Sequence, residues 1–274
     1  MKESVDVKII YHFYHHVVKA ELKRRDFPKD VVREIGEEHH KIIQRAKDIG
    51  NSRLLSSYIM GSYFIAMNRS TGKSAEENYE MFRDGLYASK LFHKVMGEAN
   101  SYLDPKKMAG RLQWSKESYK HIYENDWVVD ILPGNDEYDL GYDYHECGIC
   151  KLCKDEGCPQ LAVYLCQMDY VLADIMHMKL VRTKTIAEGD SYCDFRYSKY
   201  IGDKFMSEWN ATMYDNKHDF VAEYGKGLLE YIPQNEKQSI LDLGCGTGTL
   251  TVQLNNLAKT VIGVDQSESM IKKA

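Results

Sequence analysis

Cysteines are the residues best equipped for chemistry in this chain. Five of the seven lie between Cys147 and Cys166, and a sixth, Cys193, follows. The run reads Glu146-Cys147-Gly148-Ile149-Cys150-Lys151-Leu152-Cys153, then Cys158-Pro159, then Cys166 with Asp169, and finally Gly189 with Cys193-Asp194-Phe195-Arg196. Cys147, Cys150, Cys153 and Cys158 approach the spacing of a ferredoxin-type cluster, although the last gap is one residue too long and no second set exists. Zinc is less demanding about spacing, and Cys147, Cys166 and Cys193 would offer it three ligands across strand, helix and strand. Thiolates are also nucleophiles, which makes catalysis a second reading. Packing is the third, because unpaired cysteine is among the most buried residue types.

A second chemical signal lies near the C-terminal end. Ile240-Leu241-Asp242-Leu243-Gly244-Cys245-Gly246-Thr247-Gly248 sets glycines at alternate positions between an apolar strand and a helix, where backbone must pass close to a ligand. The fingerprint for nicotinamide dinucleotides needs its third glycine one step later, where this chain has Thr249. A ligand without a pyrophosphate therefore fits better. Asp265, at the end of the next strand, is placed to accept both ribose hydroxyls of an adenosine.

The elements that must hold these residues follow from periodicity. Val5 to Leu22 keeps an apolar spacing of three and four, Pro28 opens a second helix running to Ile49, and a third covers Arg53 to Met67. Ser74 and Glu77 have capping-box spacing ahead of a fourth helix that should reach Gly97. After Gly110, short aromatic and β-branched runs predict antiparallel strands around Trp127 to Leu132, Leu140 to Cys147, Lys179 to Ile186 and Ser191 to Tyr197. A helix from Pro159 to Met176 is inserted among them, and Ala187 to Asp190 reads as a hairpin turn. The first 198 residues are thus expected to form an α+β domain, a helical layer with an antiparallel sheet. Residues 199–274 start with a helix from Phe205 to Ile232. They continue as a right-handed parallel βαβ unit with buried strands at Ser239 to Leu243 and Thr260 to Asp265, the opening of a doubly wound sheet.

Composition narrows the partners. A formal charge of −5, from 41 acids against 36 bases, lacks the basic excess that tracks a phosphate backbone, so no nucleic-acid partner is expected. The first residues lead into a charged helical pattern without an apolar signal core, and the apolar stretch Tyr58 to Met67 is interrupted by Gly61 and too short to span a bilayer. No membrane partner is expected. A cytoplasmic chain with reduced thiols and a small-molecule substrate is the reading; oligomeric state stays open. His12, His16, His39 and His40 lack an acid at metalloprotease spacing and read as surface or packing histidines.

The C-terminal part resembles the class I S-adenosylmethionine-dependent methyltransferases through Asp242 to Gly248 and Val261-Ile262-Gly263-Val264-Asp265-Gln266-Ser267, with Met270 following. The likeness extends upstream to Trp209-Asn210-Ala211, Tyr214-Asp215, His218 and Tyr224-Gly225. It implies a partial Rossmann-like unit using S-adenosylmethionine. Asp242 and the loop Gly244, Cys245, Gly246, Thr247 and Gly248 would meet the methionine end, and Asp265 the ribose. Gln266 and Met270 would meet the adenosine, under a cap that includes Tyr214 and His218. The family fold has seven strands and this chain supplies about two, so the resemblance implies an incomplete unit with weak or no methyl transfer.

The stretch from Trp127 to Tyr197 resembles the L-2-amino-thiazoline-4-carboxylic acid hydrolase family. The likeness rests on Cys147, Cys166-Gln167-Met168-Asp169, Arg182-Thr183-Lys184-Thr185 and Gly189-Asp190-Ser191-Tyr192-Cys193-Asp194-Phe195. It implies hydrolytic opening of a cyclic C=N bond beside sulfur. In that setting Cys166 or Cys193 is the expected thiol, with Cys147 as a further catalytic candidate. Asp169 is the expected base or proton shuttle, and Arg182 the clamp for a substrate carboxylate. The layout also looks faintly like 4-vinyl-reductase-type sensor domains, which makes a ligand- or zinc-binding sensor attached to a methyltransferase the alternative.

Overall fold

The computed structural model describes residues 1, 4–200, 232–233, 235–265 and 271–272. The chain divides into two units, Met1–Lys199 and Tyr200–Ala274.

In the first unit, α1 (Val5–Arg24) begins where the Ser4 hydroxyl accepts from the Val7 N–H, and α2 (Lys29–Arg45) begins after Pro28. The spacing carries α2 to Ile49, but the chain turns extended at Ala46 and Ile49 is buried from outside the helix. Helix α3 (Leu55–Ser70) buries every residue from Tyr58 to Met67, as expected of a helix surrounded by others. Helix α4 (Ala75–Ala88) starts with the anticipated capping box, Ser74 with Glu77. It does not continue to Gly97. Ser89 is extended and its hydroxyl accepts from the Phe92 N–H, which starts a separate helix α5 (Lys90–Met96). Two further helices, α6 (Ala99–Tyr102) and α7 (Met108–Ser118), carry no apolar stripe; α7 buries only Arg111 and Ser118.

Four strands form the sheet: β1 (Val128–Pro133), β2 (Leu140–Glu146), β3 (Met178–Val181) and β4 (Cys193–Lys199), ordered β1-β2-β4-β3 and antiparallel throughout. Between β2 and β3 come α8 (Gly148–Asp155) and α9 (Ala162–Ile175). Strand β3 stops at Val181 instead of Ile186 because the N–H groups of Thr183 and Lys184 donate to the Asp194 carboxylate, at 2.7 and 2.6 Å, rather than to a neighbouring strand. The expected hairpin turn is a 3₁₀ turn capped by Thr185 and closed by Gly189 at φ 101°.

Helix α9 joins two cores. Its Leu165, Met168, Val171 and Ile175 pack with the helices around α3, while Ala173 packs with the sheet face that carries Val129, Tyr142 and Phe195. A residue on α9 can therefore reach the seam between layers, where cavities form most readily. Among the described residues no helix is long and apolar enough to cross a membrane.

The second unit contains β5 (Asn235–Leu243), α10 (Thr249–Leu254) and β6 (Ala258–Val264), with β5 and β6 parallel and Leu241 beside Ile262. The strands were expected to be buried. Instead Leu241, Leu243, Ile262 and Val264 are exposed, because among the described residues one six-residue helix cannot cover both faces of a parallel pair. The helix expected from Phe205, with Tyr214 and His218, lies outside the described residues, as do Gln266 and Met270.

His39 on α2 gives the first unit a pH sensitivity. Its ring is buried, stacks on Tyr11 at 4.7 Å, and its Nε2 has no hydrogen-bond partner among the described residues. Burial, then the neighbouring His40 and His15, pulls its pKa down to about 3. The unfolded chain binds a proton at this residue from about pH 6.5 downward and the folded chain does not, so its stability contribution is present above about pH 6.5 and lost as pH falls toward 3. In a melting series between about pH 7 and about pH 4, His39→Phe should lose less Tm than the parent. An unchanged slope would show that His39 does not govern the acid limb.

Candidate functional site

A cavity of about 310 Å³ opens in the first unit between the helical layer and the sheet. Its wall includes Tyr14, Met60, Trp127, Tyr144, Phe195 and Tyr197, together with Cys147, Cys166, Asp169 and Cys193. Four of the five residues expected to be catalytic thus meet around one space. They arrive from different elements: Cys147 between β2 and α8, Cys166 and Asp169 one turn apart on α9, and Cys193 at the start of β4.

Cys147 is the N-cap residue of α8. The neighbouring Cys150 thiol and the N–H groups of the first turn lower its pKa, and burial opposes them. Unpaired N–H groups at a helix start favour a negative charge, so this thiol is held toward its thiolate form. The start of α8 is fixed from outside. A Cβ on Gly148 would lie 2.6 Å from the Asn125 carbonyl oxygen and 2.7 Å from the Trp127 ring. At the far end, Glu156 takes Arg45 at 2.6 Å and Arg69 at 2.8 Å, which ties α8 to α2 and α3.

Cys166 and Cys193 have the opposite electrostatics. Burial raises both thiols, Cys166 far out of the physiological range and Cys193 to about 11, although the Ile186 N–H donates to the Cys193 sulfur at 3.2 Å. Asp169 is pushed up to about 6 by burial, against the pull of Arg182. Its side chain keeps 30% exposure, and it lies in the cavity wall.

Arg182 does not stand where a clamp for a substrate carboxylate was expected. It lines a separate hollow of about 210 Å³ with Cys166 and Glu188; both Nη atoms are engaged, while its buried Nε has no hydrogen-bond partner among the described residues. One Nη donates to Asp169 Oδ2 at 2.9 Å and the other to the Cys166 carbonyl oxygen at 3.1 Å, while the rings of Tyr170 and Phe195 lie 5.0 and 4.9 Å from its Cζ. The cation that does line the main cavity is Arg53, just before α3, whose Cζ lies 5.9 Å from the Trp114 ring centre. Sequence reasoning missed Arg53 and the aromatic wall, since neither carries a spacing signal.

The metal readings find no support. Among the described residues no group of three or more His, Cys, Asp or Glu side chains is placed to hold a metal ion.

In the second unit Gly244, Gly246 and Gly248 have φ of 79°, 57° and 77°, values that favour glycine. The N–H groups of Gly244 and Cys245 donate to the Val264 carbonyl, folding the loop over the end of β6. Asp265 turns toward the same loop and accepts from the Gly246 N–H at 2.9 Å. Asp242 accepts from the Thr251 hydroxyl at 2.6 Å, and among the described residues nothing beyond its chain neighbours lies within 4 Å of where a Gly244 Cβ would be. Thr247 stands at the tip of this loop, before α10. The acid and the bare backbone converge as a nucleoside-binding turn requires.

The fold and the cavity define a two-part chain: an α+β unit with a thiol-lined cavity and a glycine-loop unit with parallel strands. Residues 52–197, just over half of the chain, match the L-2-amino-thiazoline-4-carboxylic acid hydrolase family, and the chain belongs to that family. Residues 234–274 match a methyltransferase domain family. A methyltransferase of Schizosaccharomyces pombe, named as uncharacterized, is 38% identical over 66 residues, 24% of this chain and 25% of that protein. A trans-aconitate 2-methyltransferase of Variovorax paradoxus is 37% identical over 71 residues, 25% of this chain and 27% of that protein. The chain thus spans about a quarter of the length of these curated relatives. No solved structure matches it.

The Arg182–Asp169 pair should behave as a buried ion pair. Arg182→Met leaves the carboxyl without its cation and is expected to cost about 3 kcal/mol in urea unfolding. Adding Asp169→Asn to that variant should cost little more. Additive losses from the two single changes would mean that the pair does not act as a unit.

Proposed function

We propose that the first unit hydrolyses a small anionic heterocycle of the thiazoline carboxylate type, with Cys147 as nucleophile and Asp169 as proton carrier. The observation that carries this reading is the meeting, on one cavity wall, of a thiol at a helix start and a carboxyl that burial pushes up to about 6. Cys166 and Cys193, first choices from the motif, are poorer nucleophiles because burial keeps them protonated. The ring carbon between nitrogen and sulfur is electrophilic. The Cys147 sulfur forms a bond to it as the C=N π bond breaks, and the ring nitrogen takes a proton from the carboxylic acid form of Asp169. The ring carbon–sulfur bond then breaks as a nitrogen lone pair re-forms a C=N bond, and the ring sulfur leaves as a thiolate that takes the last proton of the attacking water. Asp169, now a carboxylate, takes a proton from the water that releases the product from sulfur. Arg53 supplies the positive charge for the substrate carboxylate.

The second unit is read as a site for S-adenosylmethionine, which would bring an electrophilic methyl group. Its residues fit: Asp265 for the ribose hydroxyls, the loop from Gly244 to Gly248 for the methionine end, and Asp242 beneath it. The methyl acceptor is not specified by the residues described.

With a thiazoline carboxylate as substrate, Cys147→Ser should lower turnover by at least about a hundredfold, while Cys166→Ser stays within about tenfold of the parent. Asp169→Asn should remove a pH-rate inflection near pH 6. Full turnover in Cys147→Ser would overturn the assignment, and saturable binding without any turnover in the parent would favour the sensor reading. For the second unit, Asp265→Ala should raise the dissociation constant for S-adenosylhomocysteine by about tenfold or more in calorimetry on the full chain. Equal affinity would remove Asp265 from the site.

A further inference from the structure

Cys147-Gly148-Ile149-Cys150 places two thiols one helical turn apart at the start of α8, with Cys147 as the residue that opens the helix. The Lys151 N–H donates to the Cys147 carbonyl at 3.1 Å, so the helical turn that brings Cys150 back over Cys147 is already formed. Both cysteines are free, neither is fully buried, and Cys147 opens onto the cavity. Hydrolysis uses one of them. The second has no part in that reaction and stands one helical turn from the first.

We propose that Cys147 and Cys150 form a reactive dithiol that hydroperoxides convert to an intrahelical disulfide and that small thiols restore. The Cys147 thiolate attacks one peroxide oxygen. The O–O bond breaks, the other oxygen leaves and is protonated to water, and Cys147 becomes a sulfenic acid. The Cys150 sulfur then attacks the Cys147 sulfur, forming the S–S bond as the S–O bond breaks, and the hydroxyl leaves as a second water with the Cys150 proton. Two thiols lose two electrons and one hydroperoxide is reduced. The start of α8 favours the first step, since N–H groups at a helix start raise the thiolate fraction.

The neighbouring pair Cys153 and Cys158 is a built-in comparison. Their backbones are joined, the Cys158 N–H donating to the Cys153 carbonyl at 2.8 Å, but Cys153 is completely buried and neither lines the cavity. Peroxide should therefore reach Cys147 first. The proposal goes beyond the hydrolase reading, because it concerns the thiols and not the substrate.

Treatment of the full chain with hydrogen peroxide, followed by alkylation of free thiols and peptide mass spectrometry, tests it. The expected product is a peptide holding Cys147 and Cys150 that has lost the mass of two hydrogens, escapes alkylation and regains both thiols with dithiothreitol. In Cys150→Ser the reaction should stop at Cys147 sulfenic acid, captured by dimedone. In Cys147→Ser, Cys150 should remain unmodified. A first disulfide at Cys153 and Cys158, or no oxidation at Cys147 under conditions that oxidise an exposed thiol, would overturn it. The readout is thiol chemistry, so a protein that forms this disulfide without hydrolysing any thiazoline refutes the hydrolase reading alone.

Discussion

Gly148 lies so near the Trp127 ring that a side chain could not be added without moving one of them, and that contact sets where α8 begins. Everything reactive in the first unit depends on that start. A helix beginning one residue earlier or later would aim its free N–H groups at a different side chain, and Cys147 would be one more buried thiol. The far end of α8 is held by Glu156 between Arg45 and Arg69, so the helix cannot easily slide. These are ties from α2 and α3, and they explain why a helical layer with no reacting group of its own still matters to the chemistry.

The same logic of placement governs Asp169. An acid enclosed among Tyr102, Tyr144 and Tyr197 loses solvation, and the charge on Arg182 returns part of that loss, which leaves the carboxyl near neutrality rather than fully ionised or fully suppressed. Arg182 is itself clasped by two rings and a carbonyl. It holds the Asp169 carboxylate from outside the wall of the main cavity. The two cavity thiols without a helix start, Cys166 and Cys193, show the default outcome of burial alone, an upward shift.

Much of this was legible from residue order. Apolar spacing located α1 to α4 and α9, the Ser74 and Glu77 pattern marked a helix start, and the motif that pairs Cys166 with Asp169 picked out two residues that line one cavity. What escaped detection has physical reasons. Helix α7 presents no stripe because it buries a charged and a polar residue, and β3 ends early because Asp194 competes for its N–H groups. What sets Cys147 apart from the other two cavity cysteines is its place at a helix start, where Gly148 packs too closely on Trp127 and Asn125 to carry a side chain, and no spacing signal announces such a contact. In the second unit the glycine spacing and Asp265 read directly as a loop and an acid that meet, while burial of β5 and β6 did not follow, since burial depends on covering elements and not on the strands' own composition.

The central claim is that the N-terminus of α8 makes Cys147 the most acidic accessible thiol of the cavity. The direct measurement is the pH dependence of iodoacetamide alkylation of the native chain, read cysteine by cysteine by mass spectrometry. The account predicts that Cys147 reacts with a midpoint below the ordinary cysteine value of about 8.5, while Cys166 and Cys193 stay unreacted across the same range. A Cys147 midpoint at or above that value, or earlier reaction at Cys166 or Cys193, would contradict it.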